Sequence, residues 1–363
     1  MLPIRMHKVD TKMNDLILEV KNLKVHFDTD DGVVKAVDGV DFALRRNTTL
    51  GIVGESGCGK SVTAFSILQL VTKPGRIVDG EVLFYGDESG SESSNGSGPV
   101  NLSALGPHSR EIRRYRGNII SMIFQEPMNS LSPVYTIGQQ ITELLQEHEE
   151  ISKQAAHQRA IEMLKRVGIP HPARNVDSYT FQLSGGMRQR AMIAMALALN
   201  PKVLIADEPT TALDVTTQAQ ILELMADLRE QYDSAVMLIT HDLGVVAEVC
   251  DEVVVMYLGE VVEQSDVDSL FFDPKHPYTQ ALLRSIPSLD DDLDDNENEA
   301  MDMRLDPIEG TVPGPFNRPT GCLFHDRCTE FMPGRCDRVH PRLQTLPDGR
   351  RVRCLLYEDE DAS

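Results

Sequence analysis

Hydrophobic positions follow two rhythms along this chain. Near the N-terminus they alternate: Leu16 to Phe27 (LILEVKNLKVHF) predicts a strand, and Val33 to Leu44 two more joined by a turn at Asp38-Gly39. Thr49 to Val53 is a short apolar strand, and after it Ser61 to Leu70 (SVTAFSILQL) carries apolar residues at helical spacing. Gly80 to Tyr85 is a further strand. Gly86 to Gly106, rich in Ser, Gly and acids, reads as a flexible surface insertion. A basic helix over Arg110–Arg116 precedes Asn118 to Phe124 (NIISMIF), a buried strand that ends at Gln125.

Two amphipathic helices, ITELLQEHEE and KQAAHQRAIEMLKRV, fill Thr136 to Val167 and stop at Gly168 and Pro170. Leu183 to Arg190 (LSGGMRQR) opens a strongly apolar helix ended by Asn200-Pro201. Val203 to Ala206 (VLIA) is a continuous apolar run, as a strand buried on both faces of a parallel sheet requires. A helix over Ile221–Gln231, a strand over Ala235–Thr240 and another over Val253–Tyr257 complete the series. Strands alternating with helices predict an α/β fold whose chemistry sits at the carboxyl ends of parallel strands.

With 363 residues, the chain has room for one large domain plus an appendage, or for two domains. It holds no apolar run long enough to span a membrane and no signal-peptide pattern at its start, which predicts a cytosolic protein. Met6 and Met13 are alternative starts. The net charge of −21 opposes nucleic acid as a broad electrostatic partner. Twelve acidic residues are concentrated in Asp290–Asp302 and Glu358–Asp361, yet the remainder is still acidic. A surface acidic and poor in Lys predicts a salt-loving host, with an ordinary acidic cytosolic protein as the alternative. Disulfides are not expected of its six cysteines in that compartment.

The strongest chemical signal is GESGCGKS, comprising Gly54, Glu55, Ser56, Gly57, Cys58, Gly59, Lys60 and Ser61, and followed by Val62. Strand, glycine-rich turn, Lys-Ser and helix in this order form a phosphate-binding loop. The glycines let backbone N–H groups turn inward, and the helix N-terminus adds its dipole. Lys60 would then sit on the outer phosphates of a nucleotide and the Ser61 hydroxyl on Mg²⁺. Asp207 follows the apolar strand as a hard oxygen ligand for that metal. Glu208, next to it, is the candidate general base for an attacking water. His241 stands directly after another buried strand, placed to reach a γ-phosphate. Ser184-Gly185-Gly186 opens a helix and is a second anion site by its free N–H groups. Phe27 ends the first strand, where it either stacks on an adenine or fills the core.

GESGCGKS, Gln125, LSGGM, VLIADEP, TALD and His241 stand in the order of an ATP-binding cassette (ABC) nucleotide-binding domain, which the chain resembles from Leu16 to Phe271. The resemblance implies a P-loop NTPase with a RecA-like parallel-sheet core, an antiparallel β subdomain and a helical subdomain inserted at about 126–182. It implies ATP and Mg²⁺ as cofactors, with Gln125 touching metal and water and His241 as the switch histidine. It also implies an obligate pair of ATPase domains, a copy or a paralogue. Ser184, Gly185, Gly186 and Met187 would close on the ATP held opposite, with Asp214 across the interface. Met187 and Thr211 depart from the commoner Gln and Ser without removing a needed group.

His276-Pro277-Tyr278-Thr279, LSGGMRQR and FQEPMNSLSPVYTIGQQI resemble the ATPases of oligopeptide, dipeptide and nickel importers. That branch implies a peripheral subunit on the cytoplasmic face of a membrane, bound to two permease subunits and served by an extracytoplasmic solute-binding protein. Dipeptides or oligopeptides are the expected cargo, nickel or another solute the alternative. A soluble cassette ATPase acting on DNA or ribosomes would show a basic surface or two cassettes in one chain, and neither is present. Residues 272–357 form an extension with the acidic linker 290–302 and four cysteines, Cys322, Cys328, Cys336 and Cys354. Their spacing is not a C-x2-C zinc pattern. Clustered thiols nonetheless suggest one soft site, and the resemblance implies a [4Fe–4S] cluster, with zinc or plain reduced thiols as alternatives.

Overall fold

The computed structural model describes residues 15–86, 98–126, 130–210, 214–285 and 308–358. The acidic linker, Thr211 and most of the Ser/Gly-rich insertion lie outside them. Two sheets carry the fold. In the first, β1 (Leu16–Thr29) pairs antiparallel with β2 (Gly32–Arg45) on one side and with β4 (Gly75–Phe84) on the other, and the short β5 (Val100–Asn101) adds to β4. The second has eight strands. Five run parallel in the order β9-β3-β8-β7-β6, formed by Glu252–Tyr257, Thr49–Val53, Ala235–Ile239, Val203–Asp207 and Ile120–Ile123. At the β9 edge three strands turn antiparallel: β10 (Glu260–Asp266), β12 (Arg351–Val352) and β11 (Gln344–Thr345). The sheet is therefore mixed, and its last two strands come from the end of the chain.

β3, β7 and β8 are buried at every residue, which is why their sequences read as unbroken apolar runs. Successive side chains still point to opposite faces. Ala235, Met237 and Ile239 join a core shared with β1, β2 and β4, while Val236 and Leu238 join the core under the helices.

The helices are α1 (Lys60–Ile67), α2 (Arg110–Tyr115), α3 (Ile137–His148), α4 (Lys153–Arg166), α5 (Pro172–Asn175), α6 (Gly185–Leu197), α7 (Val215–Tyr232), α8 (Leu243–Val249), α9 (Val267–Phe272) and α10 (Pro277–Arg284). Caps fix several starts: Thr136 and Gln139 make a reciprocal capping box on α3, and Ser152, Ser184, Asp214 and Asp242 cap α4, α6, α7 and α8. α3 buries Ile137, Ile141 and Leu145, and α4 buries Ala156, Ala160, Met163 and Leu164, the i, i+4 stripes of amphipathic helices. Arg159 ties α4 to the end of α6 through the carbonyl of Ala198 at 2.7 Å.

Three expectations are corrected. The turn at Asp38-Gly39 is a β-bulge inside the single long strand β2: Leu23 faces Val40 and Lys24 faces Asp38, leaving Gly39 (φ 84°) unpaired. The region up to Gly106 is not wholly a loose insertion, because Val100–Asn101 pairs with Leu83–Phe84 and Leu102 is fully buried. α1 ends at Ile67, ahead of Gln69, which takes a positive φ of 53°. β10 escaped the periodicity altogether. Its Glu260 and Glu263 are buried, which breaks the apolar pattern; Arg318 pairs with Glu260, while the backbone N–H groups of Lys275 and His276 donate to Glu263.

Candidate nucleotide site

The ends of the parallel strands bring the candidate residues to one edge of the sheet. β3 runs into Gly54–Gly59 and then α1. Gly54, Gly57 and Gly59 all take positive φ, at 147°, 81° and 102°. Glycine is required at two of them for space as well. A Cβ on Gly54 would stand 2.2 Å from the Met256 carbonyl oxygen, and one on Gly59 2.3 Å from that of Ala36. Lys60, only 7 % exposed, folds back over the loop and donates to the carbonyls of Gly54 (2.7 Å) and Glu55 (3.0 Å). Burial pushes the Cys58 thiol up, so this cysteine is an inert filler beneath the loop.

Asp207 ends β7, two strands away. It is 1 % exposed, lies beside the Ser61 hydroxyl, and leaves its Oδ1 buried without a partner. Burial holds its pKa above the usual carboxylate range, and the charge of Glu208 raises it further, against the lowering effects of Ser61 and Lys60. A hard divalent cation is the group this oxygen and the Ser61 hydroxyl fit: it would supply the buried carboxylate with both a partner and a charge. Glu208 is forced to φ 48° while its N–H donates to the carbonyl of Ile239 at 2.9 Å. The turn leaves its carboxylate gripped from both sides. Gln125 Nε2 donates to Oε2 at 3.0 Å, and His241 Nδ1 meets Oε1 at 3.2 Å. Strands β6, β7 and β8 thus deliver a three-residue unit beside the phosphate loop.

The other predicted residues fall elsewhere. Ser184 caps α6 by accepting from the N–H of Met187 at 3.3 Å, and Ser184 and Gly185 are exposed. Ser184, Gly186, Met187, Asp214 and Thr217 line an open cleft of about 610 Å³ that contains none of the phosphate-loop residues. Asp214 accepts from Thr217 N and Oγ1, at 3.0 and 2.7 Å, which holds its carboxyl below the usual range. The half-buried Phe27 packs against the core shared by the two sheets and lies over Gly75, where a Cβ would meet its ring at 2.5 Å.

Nothing in the structure supports the iron–sulfur or zinc site expected of the four tail cysteines over plain reduced thiols. Among the described residues no three or more His, Cys, Asp or Glu side chains are grouped to hold a metal ion. Cys336 and Cys354 are buried, and burial pushes Cys322 up to about 12 and Cys354 up to about 11. The charges of the neighbouring tail cysteines add to that burial, Cys328, Cys336 and Cys354 acting on Cys322, and Cys328 and Cys336 on Cys354.

Sequence reasoning missed two residues that touch the loop from far down the chain. Tyr278 accepts from the Glu55 N–H at 2.9 Å, and Arg327 grips the Glu55 carboxylate. Tyr278 stood inside a recognised motif, but nothing in that motif says what its hydroxyl reaches.

Comparison with known proteins agrees with this geometry. Residues 37–211 match the family described as ABC transporter, and residues 262–336 match the oligopeptide/dipeptide transporter C-terminal region. The chain is 49% identical over 347 residues to the oligopeptide transport ATP-binding protein AppD of Bacillus subtilis, covering 95% of this chain and 98% of that one. It is 44% identical over 344 residues to the dipeptide transport ATP-binding protein DppD of Escherichia coli, again covering 95% and 98%. Among solved structures, an ATP-binding cassette dimer in a post-hydrolysis state with ADP and Pi is similar at a TM-score of 0.60 and 27% identity, covering 69% of this chain and 99% of that one.

Proposed function

This chain belongs to the ABC transporter family, and from that premise we propose that it is the ATP-hydrolysing subunit of an importer for dipeptides or oligopeptides. The observation that carries the reading is Glu208, gripped by Gln125 and His241 beside the buried, half-partnered Asp207. In this reading Lys60 and the N–H groups of Gly54–Ser61 take the phosphates, with Val62 and the ring of Phe27 nearer the nucleoside. Ser61, Asp207 and Gln125 would hold Mg²⁺, which when bound neutralises charge on the phosphate oxygens. Glu208 orients the attacking water and accepts its proton. Gln125 and His241 keep that carboxylate aimed, and His241 is exposed enough to turn toward a γ-phosphate.

The exposed cleft around Ser184, Gly185, Gly186 and Met187, with Asp214 beside it, supports a second ATPase subunit closing there on its own bound ATP. Helices α3–α5, within residues 126–182, form the helical subdomain of a cassette spanning 16–271, and 272–357 its importer-type extension. No helix among the described residues is long and apolar enough to cross a membrane, so two permease subunits would supply the path, with a solute-binding protein outside and this subunit on the cytoplasmic face. A tagged pull-down from membranes tests the reading. Two multi-spanning permeases and a second cassette protein are expected; ribosomal or DNA-repair partners alone would overturn it.

A further inference from the structure

We propose that the C-terminal segment belongs to the nucleotide site, with Arg327 and Tyr278 acting as positioning residues that set Glu55 of the phosphate loop for ATP binding. This rests on the reading of Gly54–Ser61 as that loop. Glu55 is an unfavourable residue to find there, since a carboxylate beside a polyanion repels it. Arg327 removes the difficulty. Its Nη1 donates to Oε2 at 2.7 Å and its Nη2 to Oε1 at 3.0 Å, a bidentate pairing across 272 residues of sequence. The guanidinium is itself immobilised: Nε donates to the carbonyl of Glu309 at 3.0 Å, and the group lies 5.9 Å from the ring centroids of both Tyr257 and Phe324. Arg327 is 8 % exposed, so it is held in place for this one carboxylate.

Tyr278 fixes the backbone of the same residue. Its hydroxyl accepts from the Glu55 N–H, and its ring is fully buried against Tyr257 at 4.7 Å and Phe324 at 5.3 Å. The remaining polar group of Glu55, its carbonyl, takes the Lys60 ammonium. Glu55 is thus held at carboxylate, N–H and carbonyl together, and the third of these holds is the lysine assigned to the phosphates. Through Glu55, the tail sets both the charge of the loop and the resting place of Lys60.

The test is ATP affinity of the full-length chain, read by titration with a fluorescent ATP analogue. R327Q should weaken binding about tenfold, and adding Glu55→Gln to it should recover most of the loss, because the repulsion has gone. A tail that merely docks on the cassette predicts no recovery, and R327Q within twofold of wild type would overturn the proposal equally. Should R327Q fail to fold, Y278F decides: it keeps the buried ring, and about threefold weaker binding is expected against none for a passive contact. Wild-type protein that binds no more ATP than K60A would instead sink the nucleotide-site reading.

Discussion

Replacing Asp207 with asparagine should stabilise the nucleotide-free protein while removing its response to Mg²⁺. The side chain is 1 % exposed and its Oδ1 has no partner. Asparagine leaves an amide atom unpartnered in the same place but removes the charge, and an unpartnered buried group costs more when charged, by a margin on the scale of about 1–3 kcal/mol. Burial holds the carboxyl pKa above its ordinary value, so the folded chain keeps the proton that the unfolded chain releases. The sign follows: no cost is present below the unfolded carboxylate pKa of about 4, and stability is lost as pH rises through the folded value. The gain of D207N is therefore largest at neutral pH and fades toward pH ~4. At about 1.3 °C per kcal/mol for a chain of this size, the variant should melt about 1–4 °C higher at pH 7 in EDTA. Mg²⁺ with ATP should then raise the wild-type Tm much more than the variant's. Thermal denaturation at two pH values, with and without Mg²⁺-ATP, reads all of this. A D207N protein that melts at or below wild type at pH 7 without metal would refute the argument, and equal stabilisation by Mg²⁺-ATP would refute the ligand assignment.

Glu208→Gln keeps the size and the contacts to Gln125 and His241 but cannot take a proton. Phosphate release should fall by about 10²–10⁴-fold with ATP binding retained, and unchanged hydrolysis would remove the base assignment. Gly54→Ala should weaken ATP binding more than Gly57→Ala: both need positive φ, but only the first drives a Cβ into a backbone carbonyl, and the reverse order in a nucleotide titration would contradict the loop geometry. His276 is buried, caps α10 through Nδ1, and is held by that burial down to about 3. Its contribution is complete above pH ~6.5 and lost as pH falls toward the folded value, at up to about 1.4 kcal/mol per unit. Urea midpoints at pH 7 and 5 should therefore fall less in H276N than in wild type; parallel losses would count against it.

The phosphate loop was legible because its chemistry needs a contiguous backbone pattern, and three glycines with Lys60 and Ser61 leave few other readings. Asp207 and Glu208 were legible because an unbroken apolar run such as VLIA must end somewhere, and strand ends are where α/β sheets hold their polar groups. What failed shares a cause. Gly39 was read as a turn because a bulge and a turn ask the same residue for the same positive φ. β10 was missed because Glu260 and Glu263 are tolerable inside only once Arg318 and the N–H groups of Lys275 and His276 arrive from elsewhere.

Local sequence alone determined which chemical groups this protein carries and which strand or helix end presents each of them. Periodicity and glycine placement are short-range properties, set by sterics and burial within a few residues. Only the tertiary structure decided which groups meet. Gln125 and Glu208 are 83 residues apart, and Arg327 and Glu55 are 272 apart. The strand order β9-β3-β8-β7-β6 and the return of the tail to the sheet edge bring them within hydrogen-bond distance. That order is settled by how two cores close over one sheet, a sum of many weak contacts that no single stretch of the chain encodes.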